Sequence, residues 1–318
     1  YYVQPADVAV AVPRIAAAYD EPFGNSSAVP TMFCARLAAQ SGVTHLLAGD
    51  GGDELFGGNE RYAKQKVFER YSMIPQPLRK LLLEPLLRSP FGALPGIPGK
   101  MRSYAEQASV GMRMRLFTYN FVQHQGPAQI FSPSFLEAVS VTEPERLQTA
   151  EYQAPATTDI VDRMLYMDWK FVLADNDLRK VNTMCSLEGV KVSYPMLDDE
   201  LLELSLLVSP ELKVHGTELR YLYKRAMRGF LPDQILTKTK HGFGLPFGQW
   251  LKKSPPLQEL VNDSLASFAN RGFVRREFSD QIIAAHRSGQ ANFYGTFIWV
   301  LVLLEQWLAV HAPATRAP

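Results

Sequence analysis

Cysteine is nearly missing from this chain: Cys34 and Cys185 are the only two in 318 residues. They stand about 150 residues apart, which supports neither a disulfide framework nor a cysteine-based metal pattern. A reducing cytoplasm is the default compartment for such a chain. Excess charge of either sign is missing too, since Lys plus Arg total 33 against 32 for Asp plus Glu. No overall field therefore draws it toward nucleic acid or an acidic partner. The start lacks a basic stretch followed by an apolar one, so no signal peptide is expected. No two histidines stand at a metal-ligand spacing; His45, His124, His215, His286 and His311 read as core or surface residues. Trp169, Trp250, Trp299 and Trp307 read as packing residues. Ser288 to Leu304 carries no charge, and Phe293 to Val310 is strongly apolar, interrupted by Glu305 and Gln306. A spanning helix needs about 20 apolar residues, so a buried core helix is expected and no membrane association.

What the chain does have is a glycine loop whose charged side chains are all carboxylates: Ala48-Gly49-Asp50-Gly51-Gly52-Asp53-Glu54-Leu55-Phe56-Gly57-Gly58. The apolar run Val43-Thr44-His45-Leu46-Leu47 before it predicts a strand, and residues 30 to 40 predict a helix that stops at Gly42. The loop thus sits at a strand's carboxyl end. A Walker loop would carry Lys and Ser/Thr where Asp53 and Glu54 stand, and a dinucleotide fingerprint would carry glycine at Glu54. An EF-hand would alternate oxygen ligands, which this loop does not. A site for Mg²⁺ survives, because that ion binds through one or two carboxylates plus substrate phosphate oxygens. The same residues also suit a plain acidic helix N-terminus that offsets the macrodipole.

Three further blocks give the loop a context. Upstream lie Asp20-Glu21-Pro22-Phe23, Asn25-Ser26-Ser27 and Pro30; downstream lie Tyr194-Pro195-Met196-Leu197-Asp198 and Lys240-His241-Gly242-Phe243-Gly244-Leu245-Pro246. In this order the four blocks resemble the synthetase domain of glutamine-hydrolysing asparagine synthetases and their amidotransferase relatives. The resemblance covers almost the whole chain. It implies an α/β fold of the adenine nucleotide alpha hydrolase-like (Rossmann-like) kind, of which this chain would be the mostly helical back portion. The family's N-terminal glutamine-hydrolysing cysteine has no counterpart at Tyr1, and its Ser-Gly-Gly-x-Asp-Ser pyrophosphate loop has none in residues 1 to 19. No glutaminase is expected here, and the chain reads as part of a longer protein.

The resemblance implies a reaction. ATP activates a carboxylate, aspartate in the family's main branch; pyrophosphate leaves, and ammonia from a glutaminase domain displaces AMP from the acyl-adenylate. Asp53 falls on the family's Mg²⁺-binding aspartate, and backbone groups of Ala48 and Gly49 fall where adenosine is held. Asp50 stands where asparagine synthetases often carry a glutamate that assists attack on the acyl-adenylate. It is one methylene shorter and keeps the carboxylate, whose alternative duty is in the turn or the metal shell. Lys240 matches the lysine that stabilises the pentavalent transition state and departing pyrophosphate, acting as a compact point charge. Without the family match it would read as a surface cation beside Lys238 and His241.

The chain departs from the family between Asp175 and Asp198. The family's Lys-Val-Asp-Arg falls on Lys180-Val181-Asn182-Thr183, and its Glu and Arg before Val-Pro fall on Lys191 and Ser193. In the resembling β-lactam synthetases that glutamate supports the catalytic base. The reversal of charge at Lys191 leaves three readings open: a related amidotransferase for another carboxylic acid, a noncatalytic scaffold, or a mere strand-end cation. For organisation, we expect a parallel-sheet remnant in residues 1–62, a helical part of the same domain in 63–311, and a fraying tail in 312–318. Helices are predicted over about 104–124, 161–173, 219–228 and 293–310, with an extended stretch at 190–194.

Overall fold

The computed structural model describes residues 1–85, 97–117, 121–238, 242–289 and 291–318. Helix α1 (Pro5–Ala18) begins with proline in its first turn, and Asp7 reaches back to accept a hydrogen bond from the Gln4 backbone N–H at 2.7 Å. Its apolar residues Val8, Val12 and Ile15 recur at helical spacing and are fully buried. Helix α2 (Ala28–Gln40) follows, then strand β1 (His45–Leu47), the short helix α3 (Gly52–Phe56) and α4 (Glu60–Ser72).

Farther along, α5 (Ile160–Met167), a π-helical stretch over Asp168–Leu178 and α6 (Arg179–Leu187) form one helical run. The predicted helix at 161–173 is longer than expected because neither proline nor glycine occurs between residues 160 and 187 to stop it. Strand β2 (Lys191–Ser193) then pairs with β1 in parallel, in the register His45↔Lys191, Leu46↔Val192, Leu47↔Ser193. This is the one sheet among the described residues. Its second strand therefore comes from far outside residues 1–62. Ala35 of α2, Cys185 of α6 and Val190 pack under it with Leu46 and Val192.

The C-terminal part is α7 (Phe247–Leu251), α8 (Pro255–Ala269), α9 (Arg276–Ser288) and α10 (Ala291–His311). Helix α10 is the hub of the main core: α1, α7, α8 and α9 all pack on it, and Ile298, Trp299 and Val302 are buried there with Ile15, Leu257 and Ile282. Over Phe293–His311 it is the one described helix long and apolar enough to cross a membrane, yet half of that window is buried inside the protein. It also carries Glu305, buried in an ion pair with Arg271. This arrangement is that of a core helix. Trp299 and Trp307 donate their indole N–H to the carbonyls of Gly24 and Tyr19, each at 3.0 Å, tying both ends of the Asp-Glu-Pro segment to α10.

Two expectations need adjusting. The predicted helix at 104–124 is interrupted at Gly111, between helices over Ile97–Ser109 and Met112–Phe117, and the described residues are helical again over Phe121–Gln125. The closing segment, expected to fray, is bonded down: Arg271 donates to the Thr315 carbonyl at 3.0 Å, and the Ala317 N–H donates to the Arg271 carbonyl at 2.7 Å.

Candidate active site

The acidic loop leaves β1 with the Ala48 N–H still in the ladder, donating to the Ser193 carbonyl at 2.9 Å. Gly51 then turns the chain at φ +94° and caps the N-terminus of α3, and Gly57 at φ +73° ends that helix. Both conformations favour glycine. Space matters as much as torsion here. A Cβ on Gly51 would fall inside the Leu197 side chain, and one on Gly58 would collide with the Asp53 carboxylate. The loop is thus packed directly on the Tyr194–Asp198 block, and two of the four sequence motifs meet.

Gly51→Ala should therefore cost about 3 kcal/mol of stability, combining left-handed strain with overpacking. Gly52→Ala, whose added methyl would meet only the flexible end of Met196 at 3.1 Å, should cost less than about 1 kcal/mol. Urea unfolding of both variants checks the contrast.

The other blocks reach the loop through the π-helical stretch and the start of α6. Asp20 and Glu21 both accept hydrogen bonds from Arg179, and the Asn25 amide donates to Asn176 Oδ1 at 2.8 Å. One turn away, Lys180 donates to Asp177 Oδ1 at 2.6 Å. These two charges act on Asp50: burial raises its pKa, Lys180 opposes the rise, and Asp177 and Asp53 add to it. Gly244, Leu245 and Pro246 of the Gly-Phe-Gly block line a cleft of about 580 Å³ together with Gly24, Asn25 and Ser26. Lys240 itself lies outside the described residues.

Glu54, beside Asp53 in the first turn of α3, is only 9% exposed. Burial is the main cause of a pKa pushed up to about 7, and the negative charges of Asp53, Asp168 and Asp177 reinforce it. Asp168 is held in place by Arg61, at 2.9 and 3.1 Å, and by the Tyr62 hydroxyl at 2.7 Å. Because the folded protein holds the Glu54 proton more tightly than the unfolded chain, stability should fall as pH rises from about 4.5 to about 7. Below that window both states are protonated and nothing is lost. Glu54→Gln should remove about 2 kcal/mol of that dependence, measured as urea midpoints at either end of the window in metal-free buffer.

Asp53 lies 3.5 Å from a guanidinium nitrogen of Arg220. Arg220 is the one non-glycine residue at positive φ among the described residues, at +54°, and its N–H donates to the Gly57 carbonyl at 3.2 Å. A bulky residue held left-handed against the loop is an outlier of the kind that clusters at functional sites.

Among the described residues, no three or more His, Cys, Asp or Glu side chains are grouped to hold a metal ion. Asp53 nonetheless suits a one-carboxylate Mg²⁺ site completed by phosphate oxygens. Its side chain keeps 23% of its accessibility, and Gly58 leaves room for the carboxylate.

The structure brings Ala48, Gly49, Asp50 and Asp53 together on one loop. It adds Glu54, Lys180 and Arg220, whose surroundings no local spacing announces. Lys180 had a signal, as the retained first residue of the family's Lys-Val-Asp-Arg block.

Comparison with known proteins accords with this arrangement. Residues 1–309 match the Asparagine synthase family model. The glutamine-hydrolyzing asparagine synthetase 1 of Bacillus subtilis (strain 168) is 24% identical over 322 residues, covering 99% of this chain and 48% of its own length. Putative glutamine-hydrolyzing asparagine synthetases of Mycobacterium bovis and Mycobacterium tuberculosis are each 26% identical over 313 residues, covering 97% of this chain and 45% of theirs. The chain spans about half the length of these curated relatives. No solved structure matches it. On sequence blocks that meet in space, and on a family match running from residue 1 to residue 309, the chain belongs to the asparagine synthase family.

Proposed function

We propose that this chain is the synthetase portion of an ATP-dependent, AMP-forming ligase that amidates a carboxylate, with aspartate the first substrate to test. The observation that carries this reading is the convergence of motifs. The loop packs on Leu197 and Met196. The Asp-Glu-Pro block bonds to residues 176 and 179, next to the Lys180 that acts on Asp50. In this reading the two-stranded parallel sheet belongs to an adenine nucleotide alpha hydrolase-like core, and the protein acts in the cytoplasm.

The roles follow from charge. Formation of the acyl-adenylate spreads negative charge over phosphate oxygens, so positioning and cations are the main demand. Asp53 would hold Mg²⁺, which when bound neutralises that charge. Lys240 would serve the departing pyrophosphate as a point charge, and the small residues Ala48 and Gly49 would let adenosine approach the backbone. Asp50, with a proton affinity raised by burial, suits acceptance of a proton from ammonia as it attacks. Ammonia would come from a glutaminase domain.

ATP–pyrophosphate exchange by the full-length protein, with aspartate and a panel of other acids, tests the reading. Exchange with aspartate supports asparagine formation, and exchange only with another acid assigns a related amidotransferase. No exchange with any acid favours a scaffold that keeps the fold without turnover, a reading that Lys191 supports in standing where the family carries glutamate. The isolated chain, whose sequence holds no pyrophosphate loop, is expected to make no AMP.

A further inference from the structure

Asn182, Lys191 and Ser193, three of the positions at which this sequence departs from the family pattern, line one open surface cavity of about 500 Å³. His45 completes its polar wall. It stands opposite Lys191 in the β1–β2 register, and its Nε2 lies 2.8 Å from Ser193 Oγ. No carboxylate lines the cavity among the described residues. The nearby Glu188 is engaged elsewhere, 3.2 Å from Arg14 and 3.1 Å from Arg36. The cavity also adjoins the candidate active site. The Tyr194 hydroxyl donates to Asn182 Oδ1 at 2.9 Å, and Tyr194 in turn feels the charge of Asp50.

We infer that this cavity receives the end of the acid substrate remote from the reacting carboxyl, and that Lys191 selects an acid bearing an anion at that end. The inference rests on the ligase reading above and deepens it. A glutamate at this place would favour a substrate ammonium; Lys191 with His45, facing no acid, reverses the sign. Hydroxyl and amide groups of Ser193 and Asn182 give an anionic end hydrogen-bonding partners without adding charge.

Three probes of equal length isolate the end-group charge: succinate, succinamate and γ-aminobutyrate, which end in an anion, a neutral amide and a cation. Their binding to the full-length protein is measured by calorimetry with Mg²⁺ and α,β-methylene-ATP present. Succinate should bind about five-fold tighter than succinamate, the scale of one partly exposed charge pair, and γ-aminobutyrate should bind weakest. Lys191→Gln should flatten the series and Lys191→Glu should invert it. Both changes lie at an exposed strand position, and circular dichroism checks that each variant is folded. Equal affinity for the probes, undetectable binding of all three, or an order that survives in Lys191→Gln overturns the assignment. Pyrophosphate exchange by the same protein preparations, with ATP in place of the analogue, separates the two readings. Charge-ordered binding without exchange keeps the cavity and ends the ligase, whereas exchange without charge ordering ends the cavity alone.

Discussion

Asp53→Asn is expected to lower ATP–pyrophosphate exchange by at least about a hundred-fold, equivalent to about 3 kcal/mol of lost transition-state stabilisation. The substitution is nearly isosteric, so the carboxylate's place beside Gly58 is kept and only charge is removed. Asparagine retains an oxygen but is a poor partner for a hard cation, and Mg²⁺ relies on few protein carboxylates to begin with. The Mg²⁺ concentration for half-maximal exchange should rise in the variant. Stability should move little. Both the Gly57 and Gly58 N–H groups donate to the Asp53 backbone carbonyl at 2.9 Å, which the change leaves intact. The pair with Arg220, at 3.5 Å and partly exposed, contributes less than about 1 kcal/mol. Unaltered exchange in a folded Asp53→Asn protein removes Asp53 from the metal site.

The acidic loop could be read from sequence because its signals are local. Glycines at left-handed positions, carboxylates in a first turn and an apolar strand before them need no knowledge of the rest of the chain. Strand β2 was visible as an extended stretch, but its pairing with β1 was not, since register depends on residues about 150 positions away. The π-helical stretch over Asp168–Leu178 has the composition of an ordinary helix; its wider hydrogen bonding re-aims Asn176 and Asp177 at the site without marking the sequence. Arg220 was unreadable for the opposite reason. Positive φ is expected of glycine, and only the carbonyl of Gly57 and the carboxylate of Asp53 explain an arginine there. Glu54 was legible in the sequence as a first-turn carboxylate and as a residue that ruled out other loops, but its raised proton affinity was not. Its proton affinity comes from burial and from Asp168 and Asp177, which distant sequence brings to it. Local geometry was legible, and the electrostatics that tertiary packing creates were not.

The second large effect lies away from the site, where Arg271→Met should destabilise the protein by about 3 to 5 kcal/mol. Arg271 and Glu305 keep 4% and 2% of their side-chain accessibility. Arg271 donates to Glu305 Oε1 at 3.0 Å, and Ser267 donates to the same oxygen at 2.6 Å. The cost of Arg271→Met arises chiefly in what it leaves behind, a carboxylate on the central helix α10 with one hydroxyl for company. Loss of the Thr315 contact would free the closing segment as well. The double variant Arg271→Met, Glu305→Leu should therefore be more stable than Arg271→Met alone, recovering most of the loss, because two apolar side chains of similar volume need no solvation. Urea midpoints of the wild type, both single variants and the double variant decide the point. A double variant as unstable as the sum of the singles would mean that each side chain matters through packing and not through the charge of its partner.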